Sequence, residues 1–345
     1  MYESFYGLRA KPFQLSPDPR FFYASRAHKR AFAYLRYGMR QGEGFIIVTG
    51  DVGIGKTTLA EMLFKALERA NVVAAKLVST QLAADDLLRM VAGAYGLPYE
   101  GVSKAELLRS LEAYFRARAQ EGKRILLVVD EAQNLSAGAV EELRMLSNLH
   151  HQGQMLVQTF LLGQKEFRDI MRSEGFEPLR QRVTAAYHLN PLDPDETRAY
   201  VKHRLHTAGW QDDPRLAEDI YPEVHRLTGG VPRRINTLCD RLLLYGYLEE
   251  LHVLERDRLL TVVADMQEER GDAWGAPARE GDRTAAAEIG SGRGNGAGGG
   301  AGSSEERLAA VEQAVATLTD AVRAEFAVLR RAIFERTRHR RDGEG

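Results

Sequence analysis

The run GDVGIGKT, comprising Gly50, Asp51, Val52, Gly53, Ile54, Gly55, Lys56 and Thr57, follows the pattern GxxxxGK[ST] and continues into Thr58. A loop of this composition is suited to hold phosphate. Glycine at 53 and 55 lets backbone N–H groups approach a β-phosphate where a Cβ would clash or forbid the dihedrals. Lys56 supplies a cation between β- and γ-phosphates, and the Thr57 hydroxyl suits one position around Mg²⁺. A second chemical element, Asp130 and Glu131, ends the apolar run Ile125–Val129. Asp130 is suited to hold Mg²⁺ through its water shell, and Glu131 to orient or polarise an attacking water. Both elements together predict a nucleotide-hydrolysing site.

These residues need elements to position them. The apolar run Phe45–Val48 precedes the loop and an amphipathic segment follows it, so the loop joins a strand to a helix. That helix would aim its positive dipole end at the same anion. Strands are predicted over Phe45–Thr49, Val72–Leu77, Ile125–Asp130, Leu156–Leu162 and Ala185–Leu189. Helices are predicted over His28–Arg40, Thr57–Arg69, Ala83–Tyr95, Lys104–Gln120 and Ala139–Asn148. Their alternation implies an α/β domain over 1–190, a parallel sheet between helices. SNLHHQGQMLVQTF reads as a loop entering the fourth strand.

After NPLDPDET the pattern changes. Asp195–Thr207, Leu216–Leu227, Pro232–Leu248 and Glu255–Gln267 read as helices with no strand between them, giving a small all-helical domain over 191–270. Glycine then dominates 271–304, as in a flexible tether. Beyond it Leu308, Val311, Val315, Leu318 and Val322 repeat at spacings of three and four, the seam of a coiled coil within 305–341. Phe326, Leu329 and Ile333 continue after an extra four-residue step, a stutter. The basic end, RRAIFERTRHRR, reads as a solvated helix terminus or as a docking surface for an acidic partner or lipid headgroups.

Composition narrows the classes. The 345 residues carry 47 Lys and Arg against 48 Asp and Glu, a formal net charge of −1, so no global basic field points to nucleic acid. The one cysteine, Cys239, excludes an internal disulfide and suits a reducing compartment. The opening shows no secretory leader, and no apolar run approaches the roughly 18 residues of a membrane span. These features predict a cytoplasmic protein whose membrane attachment goes through a partner. His203 with His206, and His150 with His151, lack the companions of a zinc site. Ser79–Thr80 has no nucleophile-elbow context, and Cys239 fits an apolar helix face.

The loop, DEAQNL, LRQRV and GVPRRIN together resemble the AAA+ ATPases, and the opening MYESFYGLRAKPFQLSPDPRFFYASRAHKRAFAYL narrows the match. The chain is similar to the general secretion pathway protein A family of AAA ATPases over about Met1 to Glu268. Within it, the chain looks most like the secretion ATPase of exosortase/PEP-CTERM and exopolysaccharide loci. The resemblance implies ATP and Mg²⁺ as cofactors, a homo-oligomer, and service to an envelope secretion or polysaccharide-export apparatus. It implies an arginine finger at Arg182, with Arg180 the second candidate, acting on a neighbour's γ-phosphate. A γ-phosphate-sensing arginine is implied at Arg233, with Arg234 the alternative, and a polar sensor at Gln164. Pro12, Phe13 and the stretch Ser25–His28 are expected near adenine, Phe13 either against the base or in the core. A DNA-associated ATPase of the transposition target-selection type is the alternative function, which the near-neutral charge disfavours. A nucleotide-dependent scaffold with little turnover is a third, and Glu131 counts against it.

Overall fold

A computed structural model describes residues 1–270 except 17, 43, 68–70, 79–83 and 174. The tether, the coiled-coil seam, the basic end and Ser79–Thr80 lie outside the described residues.

Five strands form one parallel sheet: β1 (Phe45–Gly50), β2 (Val72–Val78), β3 (Arg124–Asp130), β4 (Val157–Gly163) and β5 (Val183–Leu189). Their spatial order is β2-β3-β4-β1-β5. Every residue of β1 and β4 is buried, as expected for strands covered on both faces. Alternate side chains go to opposite layers. Phe45, Ile47, Leu127 and Leu161 pack with Leu88, Leu111 and Leu143 of helices α3 (Ala84–Ala94), α4 (Lys104–Gln120) and α5 (Ala137–Leu146). Ile46, Val48, Val128 and Phe160 pack with Leu35 and Leu59 of helices α1 (Arg26–Gln41) and α2 (Lys56–Leu67). Each large side chain so buried contributes about 1.5–3 kcal/mol.

The register brings the carboxyl ends of the strands together. Thr49 pairs with Gly163, Gly50 with Leu189, and Val78 with Asp130. The phosphate loop and both carboxylates therefore emerge along one edge of the sheet, where open α/β sheets bind ligands. Two helices, α6 (Glu166–Arg172) and Glu177–Arg180, occupy the connection from β4 to β5.

The remaining helices are α7 (Pro194–Thr207), α8 (Ile220–Thr228), α9 (Pro232–Leu248) and α10 (Arg256–Arg270). Three details differ from the sequence reading. Arg215–Leu216 pairs in parallel with Val253–Leu254, so this region is not wholly helical, and Leu216 belongs to a strand rather than a helix. The segment expected as a loop before β4 contains an antiparallel hairpin, His150–His151 with Gln154–Met155. Its two turn residues, Gln152 at φ 52° and Gly153 at φ 78°, both lie at the positive φ that a tight two-residue hairpin turn needs. Finally, the first residues of the chain, assigned by sequence to the α/β domain, join the helical core. Tyr2, Tyr6, Leu8, Phe13 and Phe21 are buried with Leu192, Val201, Leu205 and Leu242. Tyr6 Oη donates to the Leu251 carbonyl at 3.0 Å. Among the described residues no helix is long and apolar enough to cross a membrane.

Candidate functional site

Strand β1 ends at Gly50 and α2 begins at Lys56, so the intervening loop has only five residues to reverse the chain. Gly53 and Gly55 adopt φ of 79° and 104°, which L side chains rarely tolerate. A Cβ on Gly53 would stand 2.5 Å from Arg233 Cβ, and one on Gly55 would stand 2.9 Å from His28 Nε2. The glycines are thus required by neighbours as well as by dihedrals. Lys56 Nζ donates to the carbonyls of Gly50 at 2.9 Å and Asp51 at 3.0 Å. Burial pulls its ammonium below the ordinary lysine range, opposed by the charges of Glu131, Asp130 and Asp51.

The two carboxylates are held in different ways. Asp130 is buried, and its Oδ2 accepts from Thr57 Oγ1 at 3.1 Å while also facing Lys76 Nζ at 3.2 Å. Glu131 leaves the strand with left-handed dihedrals, φ 55° and ψ 41°, and starts the 3-10 turn Ala132–Asn134. Such a conformation costs a non-glycine residue about 1–3 kcal/mol. It brings Gln133 back alongside. Glu131 Oε2 accepts from Gln133 Nε2 at 2.6 Å and Gln164 Nε2 at 3.2 Å, and Gln133 Oε1 accepts from the Gln164 backbone N–H at 2.9 Å. Burial works to raise the Glu131 carboxyl, but the Gln133 and Gln164 amides and the Lys56 charge hold it below the usual carboxylate range. It is therefore a charged hydrogen-bond acceptor near neutral pH.

Thr57 and Asp130 fit a magnesium site. Both present hard oxygen to one point, and the Lys76 ammonium already resting on Asp130 Oδ2 marks that point as cation-seeking.

A cavity of about 320 Å³ joins this edge to the helical region. Val52, Gly53, Ile54, Gly55, Lys56, Thr57, Thr58, Glu131, Gln164 and Arg233 all line it. Gly50 and Asp51 meet the Lys56 ammonium through their carbonyls, and Asp130 reaches the site through Thr57. Arg233 sits at the start of α9, its backbone N–H donating to the Gly53 carbonyl at 3.1 Å, so the helical region is tied to the phosphate loop. Arg234, the alternative, does not line the cavity.

The far end of the cavity is lined by Gln14, Phe21, Phe22, Tyr23, His28, Tyr200, Arg204 and Asn236. Ser25 caps α1 by accepting from the His28 N–H, and its Oγ lies 2.7 Å from His28 Nδ1. Burial depresses the imidazole to about 4, against the pull of Glu196 and of a hydrogen bond to the Gly55 backbone, so His28 is neutral at physiological pH. Tyr200 Oη donates to Asn236 Oδ1 at 2.8 Å and accepts from Arg204 at 2.9 Å, while Arg204 also donates to the Pro12 carbonyl. Phe13 does not line the cavity. Its ring is 2 % exposed within the helical core, the alternative the sequence had left open.

Arg182 stands apart. It precedes β5 and donates to Ser147 Oγ at 2.8 Å, at the amino ends of the strands. Since β5 runs from Val183 to Leu189, beside Gly50, Arg182 lies roughly 23 Å from the phosphate loop along the strand. Arg180 is bound to the Met171 carbonyl at 2.7 Å and to Glu177. Sequence reasoning missed Gln133, Lys76 and most of the far end. Gln133 lies within the DEAQNL run, and a polar amide two residues beyond the glutamate was its one available signal.

Residues 39–171 match the AAA domain family. The chain is 39 % identical over 253 residues to General secretion pathway protein A of Aeromonas hydrophila, covering 73 % of this chain and 46 % of that protein. It thus spans less than half the length of that relative. The fold is similar to ORC2 of Aeropyrum pernix in ADPNP-ADP complexes, with a TM-score of 0.56 and 19 % identity over 74 % of this chain and 71 % of that one. Cdc6p from Pyrobaculum aerophilum gives a TM-score of 0.57 at 14 % identity over 74 % and 70 %. At these identities the likeness concerns the fold.

Proposed function

The chain carries an AAA domain in the P-loop AAA+ fold, and from that premise we propose that it binds ATP and hydrolyses it to ADP and phosphate in the service of envelope secretion. The observation that carries the hydrolytic part is the Glu131 carboxylate, kept charged and held by Gln133 and Gln164 in the cavity that also receives Lys56. Backbone N–H groups of the loop and the amino end of α2 bind the β-phosphate. Lys56 exchanges the Gly50 and Asp51 carbonyls for β- and γ-phosphate oxygens. Glu131 orients a water and accepts its proton as oxygen bonds to the γ-phosphorus and the bond to the β-phosphate oxygen breaks. Mg²⁺, held by Thr57 and the water shell of Asp130, would neutralise charge on the phosphate oxygens.

Arg233 carries the state of the γ-phosphate to the helical region through its backbone tie to Gly53. Arg182 is too far from its own loop, so it serves as a finger in a neighbouring copy, and the active form is a homo-oligomer. The secretion assignment is supported by the likeness to General secretion pathway protein A. Within it we favour a cytoplasmic ATPase acting on an exopolysaccharide or PEP-CTERM export apparatus through envelope partners.

Two variants test the chemistry. Lys56→Ala is expected to weaken ATP binding about a hundredfold, since it removes a buried charged partner. Glu131→Gln is expected to keep ATP binding while turnover falls roughly a hundredfold or more. The two are measured by fluorescent-nucleotide titration and phosphate release. Steady-state hydrolysis at the parent rate in Glu131→Gln would remove this residue from the mechanism.

A further inference from the structure

Lys76 is the one charged residue in the strand VVAAKLV, and the hydrolytic reading gives it no part. β2 lies at the edge of the sheet, so a polar side chain there can reach solvent. Ala75 and Leu77 turn into one core layer, and Lys76 turns to the other face, where it shares a shallow cavity with Glu61 and Phe64 of α2. Its ammonium crosses to the neighbouring strand and stops 3.2 Å from Asp130 Oδ2. The side chain of Asp130 is 4 % exposed, whereas that of Lys76 is 26 % exposed. The carboxylate is fixed and deep; the ammonium sits at the end of a flexible stem with a way out.

The same Oδ2 accepts from Thr57 at 3.1 Å. The Lys76 ammonium on that oxygen takes the place that a magnesium-bound water would need to hydrogen-bond Asp130 beside Thr57. Two cations a few ångströms apart across one carboxylate also repel. Magnesium and Lys76 therefore compete for Asp130.

We infer that Lys76 is a tethered counter-ion that holds Asp130 in the nucleotide-free protein and must withdraw when magnesium nucleotide binds, so that it sets the magnesium concentration the site requires. Thr57 and the Glu131 backbone N–H, at 3.1 Å each, supply hydrogen bonds to Asp130 but no charge; a buried carboxylate without a counter-charge is costly, and the lysine lowers that cost in the empty protein. The same contact then opposes magnesium. The inference rests on the reading of Thr57 and Asp130 as the magnesium side of the site.

The test is a binding measurement on the full chain. Protein holding a fluorescent ADP analogue is titrated with MgCl2, and the half-saturating magnesium concentration is read from the fluorescence. Lys76→Met keeps the apolar stem and removes the charge, and is expected to lower that concentration roughly tenfold, as for other contacting charged groups. Lys76→Arg keeps a cation in place and is expected to stay within about threefold of the parent. Circular dichroism melts establish that each variant is folded, with Lys76→Gln replacing Lys76→Met if the latter is not. An unchanged midpoint in the neutral variant overturns the inference and leaves Lys76 a purely structural partner. A higher midpoint also overturns it, since Lys76 would then be helping to hold the cation. If the parent protein itself binds nucleotide without any magnesium response, it is the assignment of Thr57 and Asp130 that fails.

Discussion

At the phosphate end of the cavity consecutive residues set the geometry through their backbone, whereas at the opposite end the walls come from residues scattered between Gln14 and Asn236. Gly53 and Gly55 work because they have no side chain, with φ of 79° and 104° and neighbours pressed against them. Phe22, Tyr23, Tyr200, Arg204 and Asn236 work because of the side chains they have: Tyr200 is hydrogen-bonded to Asn236 at 2.8 Å and to Arg204 at 2.9 Å, and Tyr23 meets the Tyr200 ring edge-on. A backbone cradle recognises phosphate, which every nucleotide shares. A side-chain wall can recognise the part in which nucleotides differ, and here it is built from the segment between Gln14 and His28 together with Tyr200, Arg204 and Asn236 of the helical region. The two ends meet where the Arg233 N–H donates to the Gly53 carbonyl.

The largest expected effect would break the picture of a site complete within one chain. Arg182 contributes to neither end of its own cavity. If it is the finger of a neighbouring copy, Arg182→Ala lowers turnover about a thousandfold while ATP affinity is unchanged. Mixing that variant with Lys56→Ala protein then restores part of the activity, because an intact loop in one copy meets an intact arginine in the next. Phosphate release from mixtures shown by sedimentation to co-assemble is the measurement. No recovery in such mixtures would mean that Arg182 is only a partner of Ser147.

The next effect sharpens the phosphate end. Gly53→Ala places a methyl group 2.5 Å from Arg233 Cβ at a φ of 79°. Left-handed backbone alone costs about 1–2 kcal/mol for such a residue. ATP and ADP affinity should fall roughly thirtyfold, counting the shift forced on Arg233. AMP, which lacks the phosphate held by the cradle, should lose little. Competition of all three against a fluorescent ADP analogue reads the difference. An equal loss for AMP would mean that the change deforms the whole cavity.

Much of the phosphate end was legible in sequence because it is local. Eight contiguous residues encode the loop, and an apolar run closed by Asp130 and Glu131 encodes the strand end beside it. Gln133 was not legible, since its role depends on the left-handed bend at Glu131 that folds the next turn back onto the carboxylate. Lys76 read as one polar residue in an apolar strand, and only the pairing of β2 with β3 gives it a partner. The pairing of Arg215–Leu216 with Val253–Leu254 is too short to leave a periodicity. The far end was least legible. Phe13, Phe21 and Phe22 are chemically alike in sequence, and tertiary packing sends Phe13 to the core and leaves Phe22 half-buried at the cavity.

Phe22 gives the smallest effect and the cleanest contrast with Gly53. Its ring lines the cavity and meets His28 edge-on, with centroids 5.4 Å apart and an interplanar angle of 89°. That contact orients the ring where it lines the cavity. If the base lies at this end, Phe22→Ala removes an aromatic stacking surface, and alanine substitution of such surfaces costs about 1–3 kcal/mol per base. Affinity should fall about tenfold, and by the same factor for ATP, ADP and AMP, because all three carry the same adenine. Phe22→Leu keeps the volume without the π-face and should fall between parent and alanine. The same competition assay reads these ratios. A loss confined to ATP would assign Phe22 to the phosphates through His28 and Gly55, and the division of the cavity into a backbone-built phosphate end and a side-chain-built base end would not hold.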